Sequence, residues 1–270
     1  MSEGYESFFG LAERPFSLTS DPRYFFKSRS HGRAVETLTF VLRSRERFLA
    51  VTGDLGVGKT MLCRTVIDQL RRRGPVSYVS NPLLAPDAFS RLLLEDLGVA
   101  SLADLAALPA AAVLIVDEAH TLPALVAEQL LSLAELECDG CPILQFVLVG
   151  QSAPGDPARL GIRELDELAT TRIRLLPLGR EECGAYVEHR LTAAGASHRV
   201  QFSSRALDYV FALSGGLPRL VNLLCERALQ EAATSGSQTI EPATIDLAAA
   251  TLQLLRARSR RFRWFTNRVS

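Results

Sequence analysis

Apolar residues along this chain fall into two rhythms. Between residues 48 and 150, short, largely apolar runs alternate with stretches in which apolar side chains recur every three or four positions. The short runs are Phe48-Leu-Ala-Val51, Val76-Ser-Tyr-Val79, Ala112–Val116 and Ile143–Val149. Their length and β-branched content predict strands buried on both faces. Residues 60–73, 87–97 and 122–136 carry the helical spacing, and the first of these ends in Arg71-Arg72-Arg73-Gly74-Pro75, basic side chains followed by a Gly-Pro stop. Val35, Leu38 and Leu42 place one more helix ahead of the first strand, from Ser30 onward. Strand and helix in strict alternation predict an α/β domain built on a parallel sheet.

The rhythm changes near Pro177. From Arg180 to Leu255 no β-branched alternating run occurs, and four helical stretches follow one another, split by Gly195, Gly215-Gly216 and Ser235-Gly236. The expectation is a small all-helical domain, with the boundary at Leu176–Gly179. Residues 5–30 are irregular yet rich in Tyr and Phe, which predicts an arm packed on the domain that follows. The division expected is therefore 1–30 arm, 31–178 α/β domain, 179–255 helical domain and 256–270 tail.

Composition narrows the function classes. Apolar residues at 47%, charged residues at 22% and a mean hydropathy of +0.12 are those of a chain that buries a core in water. The longest apolar run, Leu105–Val116, contains Pro109 and stops at Asp117, too short to cross a bilayer. Residues 1–10 hold Glu3 and Glu6 and no basic or apolar leader pattern, which points to the cytoplasm. Formal charge is zero, but Arg256, Arg258, Arg260, Arg261, Arg263 and Arg268 crowd the tail with Phe262, Trp264 and Phe265 between them. A mildly acidic body argues against a protein that coats duplex DNA. The basic, aromatic tail suits an anionic membrane surface, with DNA as the less favoured ligand for the same charges. Five scattered cysteines and no secretion signal argue against a disulfide framework. Cys138-Asp-Gly-Cys141 has a zinc-like spacing without a second pair, and reads as a turn between helix and strand. His31, His120, His189 and His198 are scattered; only His120 lies near the two acids, and none receives a catalytic role.

One stretch carries a specific chemistry. Gly53-Asp54-Leu55-Gly56-Val57-Gly58-Lys59-Thr60 follows a predicted strand and opens a predicted helix, the context that a phosphate-binding loop requires. Glycines let backbone amides close around phosphate oxygens, and the helix N-terminus that begins near Met61 adds its dipole. Lys59 offers a compact charge to the β- and γ-phosphates of ATP, while the Thr60 hydroxyl reaches magnesium. Of the 30 basic residues only Lys27 and Lys59 are lysines, and one of them stands where the loop needs it. Val113-Leu-Ile-Val-Asp117-Glu118 is an apolar strand ending in two carboxylates. Beside a phosphate loop, Asp117 would order the Mg2+ ion and Glu118 would act as general base on the attacking water. Gln151, at the exit of the next strand, would place an amide beside the γ-phosphate. Arg219, in Ser214-Gly-Gly-Leu-Pro218-Arg219, would reach the phosphates from the helical domain acting as a lid. Asp117-Glu-Ala-His120 also spells a helicase box, but helicases need two tandem motor domains and this length holds one.

Tyr5-Glu-Ser-Phe-Phe-Gly-Leu11, Arg14-Pro-Phe-Ser-Leu18, Ser20-Asp-Pro-Arg-Tyr-Phe25, His31, the phosphate loop, Asp117-Glu-Ala-His120, Phe146-Val-Leu-Val-Gly-Gln151, Leu175-Leu-Pro-Leu178 and Ser214–Leu229 together resemble the ExeA-type ATPases of the general secretion pathway. The resemblance runs from residue 5 to about 255. It implies an AAA+ P-loop NTPase fold with a helical lid, a nucleotide-dependent homo-oligomer, Gln151 as sensor 1 and Arg219 as sensor 2. It also implies secretion, pilus or polysaccharide-export proteins as partners, a peripheral place at the inner membrane, and hydrolysis that drives assembly or remodelling. The family is similar to DNA-transposition ATPases, so a DNA-targeting ATPase and a nucleotide-gated module with negligible turnover stand as alternatives. Leu168 occupies the position where relatives would carry the arginine that acts on a neighbouring subunit, which leaves Arg172 and Arg174 as candidates. The stretch from Gly98 to Val113 is shorter than in such relatives.

Overall fold

The computed structural model describes residues 4–108, 110–153, 155–156, 160–195 and 199–253. In chain order the helices are α1 (Tyr5–Phe9), α2 (Arg29–Arg43), α3 (Lys59–Arg71), α4 (Pro86–Leu97), α5 (Ala124–Ala134), α6 (Arg163–Leu168), α7 (Arg180–Ala193), α8 (Ser204–Ser214), α9 (Pro218–Thr234) and α10 (Pro242–Thr251). The strands are β1 (Phe48–Thr52), β2 (Val76–Val79), β3 (Ala112–Val116), β4 (Glu137–Cys138), β5 (Cys141–Pro142), β6 (Leu144–Gly150), β7 (Thr171–Arg174), β8 (Gln201–Phe202) and β9 (Thr239–Ile240). Two compact units result. Ser20–Leu176 forms one, and the described residues up to Thr19 join those from Pro177 onward in the other.

The first unit is an α/β domain on a five-stranded sheet ordered β2-β3-β6-β1-β7, every neighbouring pair parallel. All residues of β1, β3 and β6 are buried, which is why these strands are almost wholly apolar in sequence, with Thr52 and Gln145 as the polar exceptions. The edge strand β7 differs: Ile173 turns inward while Arg172 and Arg174 face solvent, the period-two pattern of a half-covered strand carrying charge on its outer side. Phe48 and Phe146 stack at 4.7 Å across β1 and β6, within a core that also takes in Phe89, Leu93, Val126 and Leu130 from α4 and α5. Because β6 lies between β1 and β3, the loops leaving β1 and β3 flank the exit of β6. This is the crevice where open parallel sheets place ligands.

Three local expectations change. α5 runs over Ala124–Ala134 rather than 122–136, because Pro123 stands outside its first turn in an extended conformation and the chain beyond Glu135 turns into a hairpin. Cys138 and Cys141 pair across that hairpin, β4 against β5, as free thiols. Asp139 and Gly140 at its tip both have positive φ, 53° and 73°, the requirement of a tight two-residue β-turn. The second unit is not entirely helical: β8 and β9 form a parallel pair of two residues each, too short to leave a pattern in the sequence.

The arm is also corrected. Its first part belongs to the helical unit instead of the α/β domain, and the buried side chains give the reason. Phe9 and Phe16 are fully covered, Phe16 packs edge-on against Phe202 at 6.2 Å, and the Tyr5 hydroxyl donates to Glu226 on α9 at 2.6 Å. The Ala12 amide donates to the Ala194 carbonyl at 2.9 Å. Arg190 on α7 is buried and donates through Nε to the Pro15 carbonyl, through Nη2 to the Ser17 carbonyl at 3.0 Å and through Nη1 to the Tyr186 hydroxyl at 3.0 Å. Replacing it strands two buried carbonyls and opens a cavity. Arg190→Ala is therefore expected to lower stability by roughly 3 kcal/mol in urea unfolding, with the loss centred on the helical unit. Only residues 20–30 of the expected arm, with Tyr24 buried, remain with the α/β unit. The tail at 256–270 lies outside the described residues, as does His198.

Candidate functional site

The loop Gly53–Thr60 leaves the C-terminal end of β1 and turns into α3. Gly56 and Gly58 take positive φ, 81° and 110°, values that a side chain resists. A Cβ on Gly58 would sit 3.0 Å from His31 Nε2, and one on Gly53 would sit 2.9 Å from Val57 Cγ1 and 3.0 Å from the Leu175 carbonyl. The glycines thus serve both the turn and the tight packing of the loop. α3 begins without a side-chain cap. Among the described residues the amides of Lys59, Thr60 and Met61 find no backbone carbonyl, so they point as a group of open donors at the start of a 13-residue helix. Such a cradle fits phosphate oxygens.

Lys59 is 5% exposed and donates to the carbonyls of Gly53 at 2.9 Å and Asp54 at 3.1 Å. Burial lowers its pKa from the ordinary lysine value, while the charges of Glu118, Asp117 and Asp54 oppose that shift. The ammonium is thereby held beside the loop with acids close by, primed for an anion that would satisfy it better.

Thr60 and Asp117, separated by 57 positions, meet: the Thr60 hydroxyl donates to Asp117 Oδ2 at 2.7 Å. The Tyr78 hydroxyl donates to the same oxygen at 3.2 Å, and burial together with the Asp117 charge raises its pKa, keeping it a donor. Asp117 itself is buried. A hydroxyl and a carboxylate at this separation are hard oxygen donors of the kind magnesium prefers, so the pair fits that ion.

Glu118 follows with φ 51° and ψ 32°, a left-handed conformation that costs a non-glycine residue about 1 kcal/mol. Its neighbours hold it there. Its amide donates to Asp117 Oδ1 at 2.9 Å, and its carbonyl accepts from both the amide and the hydroxyl of Thr121, each at 2.8 Å. The Glu118 side chain is 38% exposed, open to water, whereas Asp117 is buried. The amide of Gln151, just beyond β6, donates to His120 Nδ1 at 3.2 Å.

Gly53–Met61, Asp117, Glu118 and Gln151 thus come together at the C-terminal ends of the three central strands β1, β3 and β6. Arg172 lies on β7 opposite Ala50, donating to the Asp166 carbonyl, whereas Arg174 lies opposite Thr52, at the last residue before the loop. Arg219 belongs to the helical unit, at the second position of α9 after Pro218. Besides His120, two side chains that received no role from the sequence bear on the site. Tyr78 is one. The other is His31, buried on α2, whose Nε2 donates to the Val57 carbonyl at 3.0 Å while Nδ1 pairs with the Ser28 hydroxyl at 2.8 Å. The signal for His31 was its place three residues after the N-cap Ser28; nothing local announces its partner, 26 positions away.

Comparison with known proteins agrees with this geometry. A family described as AAA domain matches residues 42–153. General secretion pathway protein A of Aeromonas hydrophila is 38% identical over 263 residues, which cover 91% of this chain and 48% of that protein, so the chain spans about half the length of the curated relative it matches. Among solved structures, Cdc6p from Pyrobaculum aerophilum superposes with a TM-score of 0.70 at 16% identity, covering 88% of this chain and 70% of that one. The ORC2 protein of Aeropyrum pernix, in ADPNP-ADP complexes, gives 0.64 at 18%, covering 88% and 71%. The RuvB Holliday junction branch migration motor of Thermotoga maritima gives 0.61 at 19%, covering 83% and 69%. At such identities these three establish the fold alone.

Proposed function

Because this chain belongs to the ExeA-type AAA+ ATPase family, we propose that it binds ATP with magnesium on the Gly53–Thr60 loop and hydrolyses it to ADP and phosphate. The observation that carries the reading is the contact of Thr60 with Asp117 at 2.7 Å, with the half-exposed carboxylate of Glu118 directly beside it. Lys59 and the amides of the first turn of α3 bind the phosphates. Thr60 and Asp117 hold magnesium, which when bound neutralises charge on the β- and γ-phosphate oxygens. Glu118 takes the proton of the attacking water, Gln151 orients the γ-phosphate as sensor 1, and Arg219 is sensor 2. The test is phosphate release by the intact chain with magnesium and with chelator. Release that depends on magnesium supports the reading, and absence of both ATP binding and release overturns it. Equal single-turnover and negligible steady-state yields would instead mark a nucleotide-gated module.

The relative's name places that protein in a secretion pathway, and we assign this chain to the same class of work: powering assembly or remodelling of a secretion, pilus or polysaccharide-export complex as a homo-oligomer. No helix among the described residues is long and apolar enough to cross a membrane; a place in the cytoplasm, peripheral at the inner membrane, belongs to the same assignment. If a neighbouring copy completes the site, specific activity rises with concentration, and either Arg172→Ala or Arg174→Ala lowers turnover at unchanged ATP affinity, the effect reaching about a thousandfold for a full arginine finger. Normal hydrolysis by both variants, with activity flat in concentration, removes the idea. A DNA-targeting role rests on the similarity of this family to DNA-transposition ATPases. Tight, steeply salt-dependent binding to random duplex would favour it over the secretion reading.

A further inference from the structure

His120 stands in the short turn Ala119–Thr121 directly after the two acids, and its two ring nitrogens face different parts of the site. The Gln151 amide can only donate, so Nδ1, 3.2 Å away, is the unprotonated nitrogen and the neutral ring carries its proton on Nε2. That Nε2 lies 3.6 Å from Glu118 Oε2, just beyond hydrogen-bond length, and the carboxylate at 38% exposure has room to close the gap. The ring does not. It is 21% exposed and wedged against the exit of β6, where a Cβ added to Gly150 would stand 3.1 Å from both His120 N and Nδ1 and 2.8 Å from Leu160 Cδ2. The backbone of Glu118 is equally fixed by Asp117 and Thr121. A rigid donor therefore faces a carboxylate that is free only in its side chain.

We propose that His120 is a positioning residue that ties the Glu118 carboxylate to the backbone leaving β6. Accepting a hydrogen bond from Nε2–H on Oε2 leaves the other oxygen of Glu118 open to take a proton from water. Because Nδ1 is held by the Gln151 amide, movement of Gln151 toward a γ-phosphate is passed through the ring to the base. The inference rests on the ATPase reading above and adds to it a side chain that touches neither nucleotide nor metal.

The experiment compares His120→Ala, His120→Asn and His120→Gln in the intact chain, with thermal melting to confirm folding and Glu118→Gln in parallel. The Asn carbonyl reaches only the Nδ1 position, whereas the longer Gln amide brings a donor to the Nε2 position. ATP affinity, read by displacement of a fluorescent analogue, is expected to stay within about twofold in all three. Turnover is expected to fall at least about tenfold in His120→Ala and His120→Asn, and to stay within about threefold of wild type in His120→Gln. Trapping of magnesium-ADP with aluminium fluoride, a mimic of the transferring phosphoryl group, is lost in the first two and kept in the third. Wild-type turnover in His120→Ala overturns the proposal, as does a loss in all three that follows ATP affinity or melting temperature. If wild type and Glu118→Gln release phosphate equally, the general base itself is wrong and both readings fall. If wild type far exceeds Glu118→Gln while His120→Ala matches wild type, only the role of His120 is lost.

Discussion

Lys59→Ala is expected to weaken ATP binding by at least about a hundredfold. The ammonium is buried, and burial has already stripped it of water, so the cost of presenting the charge to a phosphate is met in folding. Two charge-assisted hydrogen bonds to phosphate, at about 1.5 kcal/mol or more each, account for a loss of that size. In the absence of nucleotide the same group caps the Gly53 and Asp54 carbonyls, so part of the loss will come from a loosened loop. Lys59→Arg separates the contributions. It keeps the charge, but its planar fork does not fit a position shaped for a compact ammonium, so it is expected to fold normally and still bind poorly. Isothermal titration with ATP checks both variants, and affinity within threefold of wild type in Lys59→Ala would remove the loop from the site.

Glu118→Gln has the opposite profile: ATP binding retained and turnover reduced by at least about a hundredfold, the range that removal of a general base spans. The substitution is nearly isosteric, and the left-handed backbone at 118 is held by Asp117 and Thr121 rather than by the carboxylate, so the fold has no reason to change. Asp117, buried and bonded to Thr60 and Tyr78, lacks the open face that an attacking water needs. The pair thus divides its work by exposure. Steady-state phosphate release at saturating ATP, beside a direct binding measurement, tests the assignment; comparable hydrolysis by Glu118→Gln and wild type would falsify it.

Legibility in the sequence followed the range of the interactions concerned. The α/β alternation and the phosphate loop were readable because a buried parallel strand needs an unbroken apolar run, and the loop needs glycines and a lysine in consecutive positions. The helical unit was readable for the same reason, apart from β8 and β9, whose two residues each are shorter than any period that could announce them. The arm was misplaced because its composition shows only that Phe9 and Phe16 will be buried, and not against what. Their partners, Phe202 among them, lie nearly two hundred positions away. His120 was visible as the histidine nearest the two acids but received no role, because its place between Glu118 and Gln151 follows only from β6 entering the sheet beside β3.

By itself, then, the order of residues determined the fold class and the chemical identity of the loop, since both are written in contiguous stretches whose periodicity and steric demands act locally. The tertiary structure alone decided the strand order β2-β3-β6-β1-β7, the meeting of Thr60 with Asp117, the clasp of His31 on the Val57 carbonyl, the strained backbone of Glu118 and the unit to which the arm belongs. Each of these depends on which buried surfaces find one another in the folded chain, and burial is a property of pairs of distant segments that neither segment carries alone.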